Sequence, residues 1–321
     1  MESIVVVSNK SDRLDKILSK ELNVSRNQVE KLIKDGLVKV DGERIIKPSF
    51  KLSGTHKIEY EFKKAQKEPF QKVDIKIPTL YEDEDILVVN KPANLVVHPA
   101  PSVKEPTLVD WLREQNIRLS TISGEERNGI VHRLDKDTSG AILIAKSNFA
   151  HENLSKQLQD RSMGRYYIAT INYPLKENII VNKPIARNPK NRLKMAIVEG
   201  GRESKTAFAK LALSKTKDYE LIAAKLFSGR THQIRVHLSS LNRYIVGDKL
   251  YGFGDDKFKG RMQLHAYLLY FIHPRTKKQV EVVAPLFEDM QSAIRKDFGK
   301  EIEDEVINKE YIKSRFDSSN F

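Results

Sequence analysis

The longest unbroken apolar run in this chain spans residues 266–272, seven residues. That is strand length, far short of the roughly 20 residues a membrane-spanning helix requires. The chain must therefore bury its apolar surface in short pieces, and most of them read as strands. Residues 86–89, 141–145, 167–171, 208–213, 219–226 and 279–283 are apolar or alternating and are bounded by turn residues. Helical spacing shows at 108–112, 149–158 and 234–241. Strands outnumber helices without regular alternation, so the expected class is mixed α+β and not a doubly wound parallel sheet.

A length of 321 residues points to about two domains. Residues 1–64 read as a small α/β module. Leu14, Ile17, Leu18 and Leu22 recur at helical spacing, and Ser25 followed by Gln28 has the pattern of a capping box. Val29, Leu32 and Ile33 continue the apolar face, and Gly36 stands where that helix should stop. Residues 37–40, the pair Asp41-Gly42 and residues 44–46 then predict a tight hairpin, with a third strand at 57–62. Arg13, Lys16, Arg26, Lys31 and Lys34 avoid the apolar positions, which leaves a basic face on the helix pair: either an RNA-binding surface or an ordinary solvated one. Residues 65–72 are polar, contain Pro69 and read as a linker. Residues 73–290 form the second domain, and 291–321 a helix followed by a frayed end.

Lysine and arginine number 56 against 43 acidic residues, a net charge of +13. Such a surplus favours a polyanionic partner, nucleic acid or an anionic membrane. The short apolar runs argue against a membrane. The charge is also segregated, with net values of +4 over 1–64, +11 over 65–288 and −2 over 289–321. The acidic end is not expected to touch the polyanion. Cysteine is absent, which removes disulfides, thiolate metal sites and cysteine nucleophiles together. With no secretory leader pattern at the N-terminus, a cytoplasmic location is expected. Neither a dinucleotide nor a P-loop glycine motif occurs, and no GxSxG elbow is present. His232 and His237 are five apart and miss the i, i+4 spacing of a helical zinc pair.

What remains is a polar loop between two apolar runs at 129–143, containing His132-Arg133-Leu134-Asp135-Lys136-Asp137. Flanking strands would hold it at both ends. Cations around Asp135 keep a carboxylate ionised and nucleophilic; the plainer reading is a turn in which Asp135 and Asp137 accept backbone N–H groups. A second cluster at 227–238 follows a strand and opens a helix, with Thr231 as its N-cap and Arg230 and Arg235 beside it. A third, Asn90-Lys91-Pro92 through Val97-His98-Pro99, turns on prolines after a strand.

Together these stretches resemble the RluA family of pseudouridine synthases, from about residue 80 to about 290. The HRLDxxTSG pattern stands complete at 132–140 and GRTHQIRVHL at 229–238. The stretches 90–99, 247–252 and 264–274 also fit the family. Residues 13–62 resemble the S4-like RNA-binding module that precedes the catalytic domain in the large-subunit rRNA branch. The resemblance implies a catalytic domain on a largely antiparallel sheet with a central cleft. It implies Asp135 as the catalytic aspartate, Arg235 as the arginine that holds it through a bidentate pair, and Tyr167 as the active-site tyrosine. Tyr166 lies one residue away, and Arg165 stands where the family has lysine. His132, Arg133, Arg230 and Lys91 are candidates for RNA contacts or loop geometry. The implied reaction converts uridine in RNA to pseudouridine by base flipping, with no cofactor. Large-subunit rRNA is the expected partner rather than tRNA, and a monomer the expected state. A non-catalytic RNA-binding or ribosome-assembly protein, a hydrolytic RNA glycosidase and a tRNA pseudouridine synthase are the alternatives.

Overall fold

Asp41 and Gly42 both take positive φ, 51° and 89°, the backbone of a two-residue turn whose twist matches the strands it joins. In the computed structural model, which describes residues 2–22, 24, 26–61, 73–100, 103–122, 128–252 and 260–317, this turn belongs to the first of two units, Met1–Pro69 and Phe70–Phe321. The first unit runs β1 (Glu2–Arg13), α1 (Leu14–Glu21), α2 (Arg26–Lys34), β2 (Val38–Val40), β3 (Glu43–Arg44) and β4 (Lys51–Tyr60). Its antiparallel sheet has the order β1-β4-β2-β3. Leu14, Leu18, Val29, Ile33, Val38 and Ile58 have no solvent exposure and form the core shared by the helix pair and the sheet. Gly36 ends α2 with φ 69°, and a Cβ there would strike the Arg44 guanidinium.

Sequence patterning misses β1 and starts β4 six residues late. Only Ile4–Val7 is apolar in the first segment, and Val5 and Val7 face solvent. Ile4 and Val6 pack on the core, and backbone pairing of Glu2 through Ser8 with Tyr60 through Gly54 carries the strand beyond them, leaving no side-chain signature. The second hairpin strand is also shorter than expected. Ser25 of the capping-box pattern and the linker at 65–72 lie outside the described residues.

The second unit continues with β5 (Thr79–Glu82), β6 (Ile86–Lys91), α3 (Leu108–Glu114), β7 (Ser139–Ala145), α4 (Asn148–Asp160), β8 (Gly164–Asn172), β9 (Ile179–Asn182), β10 (Ile185–Arg187) and β11 (Met195–Ile197). After these come β12 (Lys205–Leu213), β13 (Tyr219–Leu226), α5 (Gln233–Ser239), β14 (Tyr244–Ile245), β15 (Leu264–Ile272), β16 (Gln279–Val283), α6 (Glu288–Phe298), α7 (Lys300–Val306) and α8 (Lys309–Ser314). Ten strands make one sheet in the order β5-β6-β7-β15-β8-β13-β12-β9, with β14 on β8 and β16 on β15. All pairs are antiparallel except β7 with β15, where Ser139 faces His265 and Gly140 faces Ala266. Gly140 is needed there: its φ is 116° and a Cβ would overlap the Ala266 backbone.

The sheet is covered on both faces, so β7 is buried along its whole length and β8 up to its last residue. Alternation on β8 sends Tyr167, Ala169 and Ile171 to one core and Tyr166 and Ile168 to the other. The helices after residue 287 are not one helix and a frayed end. Met290, Ile294, Phe298, Val306 and Ile312 of α6–α8 pack on the Tyr166 face, so that face is closed by the C-terminal segment. Among the described residues no helix is long and apolar enough to cross a membrane.

Candidate active site

The loop before β7 is fastened at several points. Ile130 forms a bridge to Ile144, in place of the strand expected on that side. His132 Nε2 accepts the Leu143 N–H at 3.0 Å, which puts the imidazole proton on Nδ1. Burial, and then the nearby Arg165, depress the His132 pKa to about 3, so the ring is a neutral staple. Lys91 is fully buried and its Nζ donates to the carbonyls of Pro92, Leu95 and Lys136 at 2.8, 2.9 and 3.1 Å. Burial pushes its pKa down to about 7. His132 and Lys91 therefore serve loop geometry; neither side chain is available to RNA. The Thr138 N–H closes the turn on the Asp135 carbonyl.

Three carbonyls sharing one donor make Lys91→Met costly. The variant is expected to lose about 2–3 kcal/mol of stability, the scale of hydrogen bonds to a charged group. Urea unfolding measures it; an unchanged midpoint would mean that the carbonyls find other donors.

These ties present Asp135, whose side chain is 16% exposed, to a cleft where Arg235 Nη1 lies 3.3 Å from its Oδ2. The pair differs from the bidentate arrangement expected. Arg235 gives its two-pronged grip to Asp248, with Nε to Oδ2 at 2.7 Å and Nη2 to Oδ1 at 2.8 Å, and Asp135 receives one N–H from Nη1. Burial works against the Arg235 charge, and the Asp248 hydrogen bonds more than restore it. Burial would likewise raise the Asp248 pKa, but Arg235 and the N–H groups of Tyr251 and Leu250 hold it below the usual carboxylate range. Gly247, with φ 79°, makes the turn that delivers Asp248, and a Cβ on it would press on the Arg261 carbonyl.

α5 carries Arg235 but is not capped by Thr231. Its N-cap is His232 at φ 56°, without a side-chain cap, while the Gln233 side chain accepts the Arg230 N–H at 3.0 Å. His232 Nε2 approaches Asp135 to 3.9 Å, and its Nδ1 pairs with the Tyr251 hydroxyl at 2.9 Å. Burial lowers the His232 pKa despite Asp135. The Arg235 guanidinium sits 4.9 Å from the centre of the Tyr251 ring.

Tyr167 lines the same cleft as Asp135 and Arg235, and burial raises the pKa of its hydroxyl. Tyr166 points through the sheet to Tyr270 and Phe316. The cleft is open to solvent and encloses a cavity of about 50 Å³. Arg133, exposed, and Arg230, half-buried, stand at it with Arg165. In the first unit, Arg13 and Arg26 both converge on the buried Asp15, at 2.8 and 2.9 Å. Lys16 pairs with Asp12 and Lys34 with Glu30, and Lys31 is exposed. The basic face is thus partly neutralised by its own carboxylates. Sequence reasoning gave no role to Asp248, Tyr251 or Arg165; the fit of residues 247–252 to the family pattern was the available signal for the first two.

Residues 85–240 match the RNA pseudouridylate synthase family and residues 12–58 the S4 domain. The chain is 47% identical over 324 residues to a Helicobacter pylori (strain J99) protein named as an uncharacterized RNA pseudouridine synthase, covering 98% of this chain and 99% of that one. It is 38% identical over 290 residues to the ribosomal large subunit pseudouridine synthase D of Zymomonas mobilis, covering 87% and 92%. Human RNA pseudouridylate synthase domain containing 1 superposes with a TM-score of 0.54 at 28% identity, over 66% of this chain and 84% of that one. With 38–47% identity to such enzymes over most of its length and the family match at 85–240, this chain belongs to the family of RNA pseudouridine synthases.

Proposed function

We propose that this enzyme isomerises uridines of large-subunit ribosomal RNA in the cytoplasm, with Asp135 acting at the sugar–base junction of an extruded nucleotide. The observation that carries the reading is the contact of Asp135 with Arg235, 3.3 Å across an open cleft. The reaction breaks the bond between ribose C1′ and uracil N1, turns the base while it is trapped, and joins C1′ to C5. N1 gains a proton and C5 loses one, so the chemistry is redox-neutral and water is not consumed. Asp135 either attacks the anomeric carbon as a nucleophile or acts as a base that removes a ribose proton. Arg235 keeps the carboxylate anionic and aimed, and Asp248 keeps Arg235 in place. Tyr167 stacks on the uracil or takes part in the loss of the C5 proton. Extruding the base costs roughly a few kcal/mol, offset by phosphate contacts from Arg133 and Arg230.

The rRNA assignment is supported by the S4 match at 12–58 and by the names of relatives from Zymomonas mobilis and Xanthomonas campestris, ribosomal large subunit pseudouridine synthases. Carbodiimide mapping of pseudouridine across total RNA, from cells with and without the gene, tests it. Loss of signals in large-subunit rRNA is the expected result. Loss confined to tRNA moves the substrate, free uracil in the product identifies a glycosidase, and unchanged maps leave an RNA-binding protein. Deleting residues 1–69, a unit with its own core, is expected to weaken rRNA binding by at least tenfold while leaving single-turnover chemistry at saturating RNA within about threefold. Equal affinity for rRNA with and without it would give the S4 unit another role.

A further inference from the structure

The cleft holds a cation that no other described residue answers. Arg165 is 7% exposed, its Nε is enclosed without an acceptor, and among the described residues its guanidinium enters no hydrogen bond or ion pair. Its neighbour in the cleft, Arg235, is met by two carboxylates. Nearly all buried polar groups in folded proteins are paired, and leaving a cation buried and unpaired costs several kcal/mol. A guanidinium kept in that state fits an anion that arrives from outside.

Its place favours one anion. Arg165 lines the cleft with Asp135 and Tyr167. It lies two residues before Tyr167 on β8, on the same face of the strand and ~6.6 Å away along it. Gly229 leaves it room: a Cβ there would come within 3.1 Å of Nη2. RNA brings a phosphate with each nucleotide, and the planar fork of arginine matches two phosphate oxygens at once. We propose that Arg165 forms a phosphate-binding subsite beside the uracil pocket, gripping a phosphate that flanks the target uridine. This rests on the reading that the cleft receives a uridine nucleotide.

The full chain and its Arg165→Met and Arg165→Lys variants are titrated with uridine, uridine 5′-monophosphate and uridine 3′-monophosphate, followed by NMR. One of the two nucleotides is expected to bind the wild type at least tenfold more tightly than uridine. That advantage falls below twofold in Arg165→Met and to an intermediate value in Arg165→Lys, with uridine affinity unchanged in both. Thermal unfolding of Arg165→Met is expected at or above the wild-type midpoint, because an apolar side chain replaces an unpaired buried charge. With a large-subunit rRNA transcript, the slope of log affinity against log salt becomes shallower by about 0.7–0.9 in Arg165→Met, the loss of one phosphate contact. A phosphate advantage that survives in Arg165→Met, no phosphate preference in the wild type, an unchanged salt slope, or a lowered melting midpoint overturns the proposal. None of these measurements requires turnover. A chain that makes no pseudouridine but discriminates the nucleotides in this way loses the reaction and keeps the subsite.

Discussion

Asp135→Asn is expected to abolish pseudouridine formation, by about 10⁴-fold or more, on the scale of removing an acid that reacts directly, while RNA affinity stays within about tenfold. The substitution is nearly isosteric and removes one charge. It leaves the loop's fastenings untouched: His132 with Leu143, Lys91 with Lys136 and Gly140 against Ala266 depend on other atoms. Arg235 also stays in place, since its two shortest hydrogen bonds go to Asp248. The site therefore loses its reactive group without collapsing, and stability should change by no more than about 1 kcal/mol. Removing a negative charge that faces a polyanion weakens no phosphate contact, so binding is retained or tightened. Single-turnover pseudouridine formation and a filter-binding isotherm on the same rRNA transcript separate the two effects. Full turnover in the variant would take Asp135 out of the chemistry. A collapse of binding together with activity would make it a structural residue.

Legibility in the sequence followed the range of the interactions. Where a pattern is local, the reading comes close: the strands over 141–145 and 219–226, the Asp41-Gly42 turn and the apolar face of α5 are each recorded by residues close together in the chain. Where a partner is distant, nothing local records it. β1 exists because Glu2–Ser8 meets β4 some fifty residues later. Asp135 and Arg235 are 100 residues apart in the chain, and their meeting was implied only by resemblance to a family. The sharing of Arg235 between two carboxylates was not legible at all. Charge alone does not choose between roles. Lys91 and His132 stand in the sequence as candidates for RNA contact or loop geometry, and each finds its acceptor or donor inside the fold. The choice between Tyr166 and Tyr167 needed only the side of the sheet on which the cleft lies, which one strand's alternation cannot supply by itself.

The second large effect is expected at Asp248, a residue that need not touch the RNA. Asp248→Asn should lower stability by about 3–5 kcal/mol, the range for removing one partner of a buried ion pair, and lower turnover about 10²–10³-fold. The carboxylate is 5% exposed, and four donors converge on it: two from Arg235 and the N–H groups of Leu250 and Tyr251 at 2.9 and 3.0 Å. An asparagine offers one acceptor oxygen and turns an NH₂ group toward donors, so at least one buried donor is left without a partner. Arg235 then has Asp135 as its remaining anion. It is expected to close on that carboxylate with both prongs and draw it away from the ribose, so activity falls although Asp135 itself is unchanged. Because the folded-state pKa of Asp248 lies below its unfolded value, its stabilisation is complete above the ordinary carboxylate range and is lost as pH falls through the folded pKa. The wild type should therefore lose its advantage over Asp248→Asn on acidification, with the gap widest at neutral pH. Urea unfolding of both proteins at pH 7 and pH 2.5, beside single-turnover rates at neutral pH, tests each part. Wild-type turnover in Asp248→Asn would show that Arg235 orients Asp135 without a second carboxylate. A constant stability gap at both pH values would assign the loss to packing and not to charge.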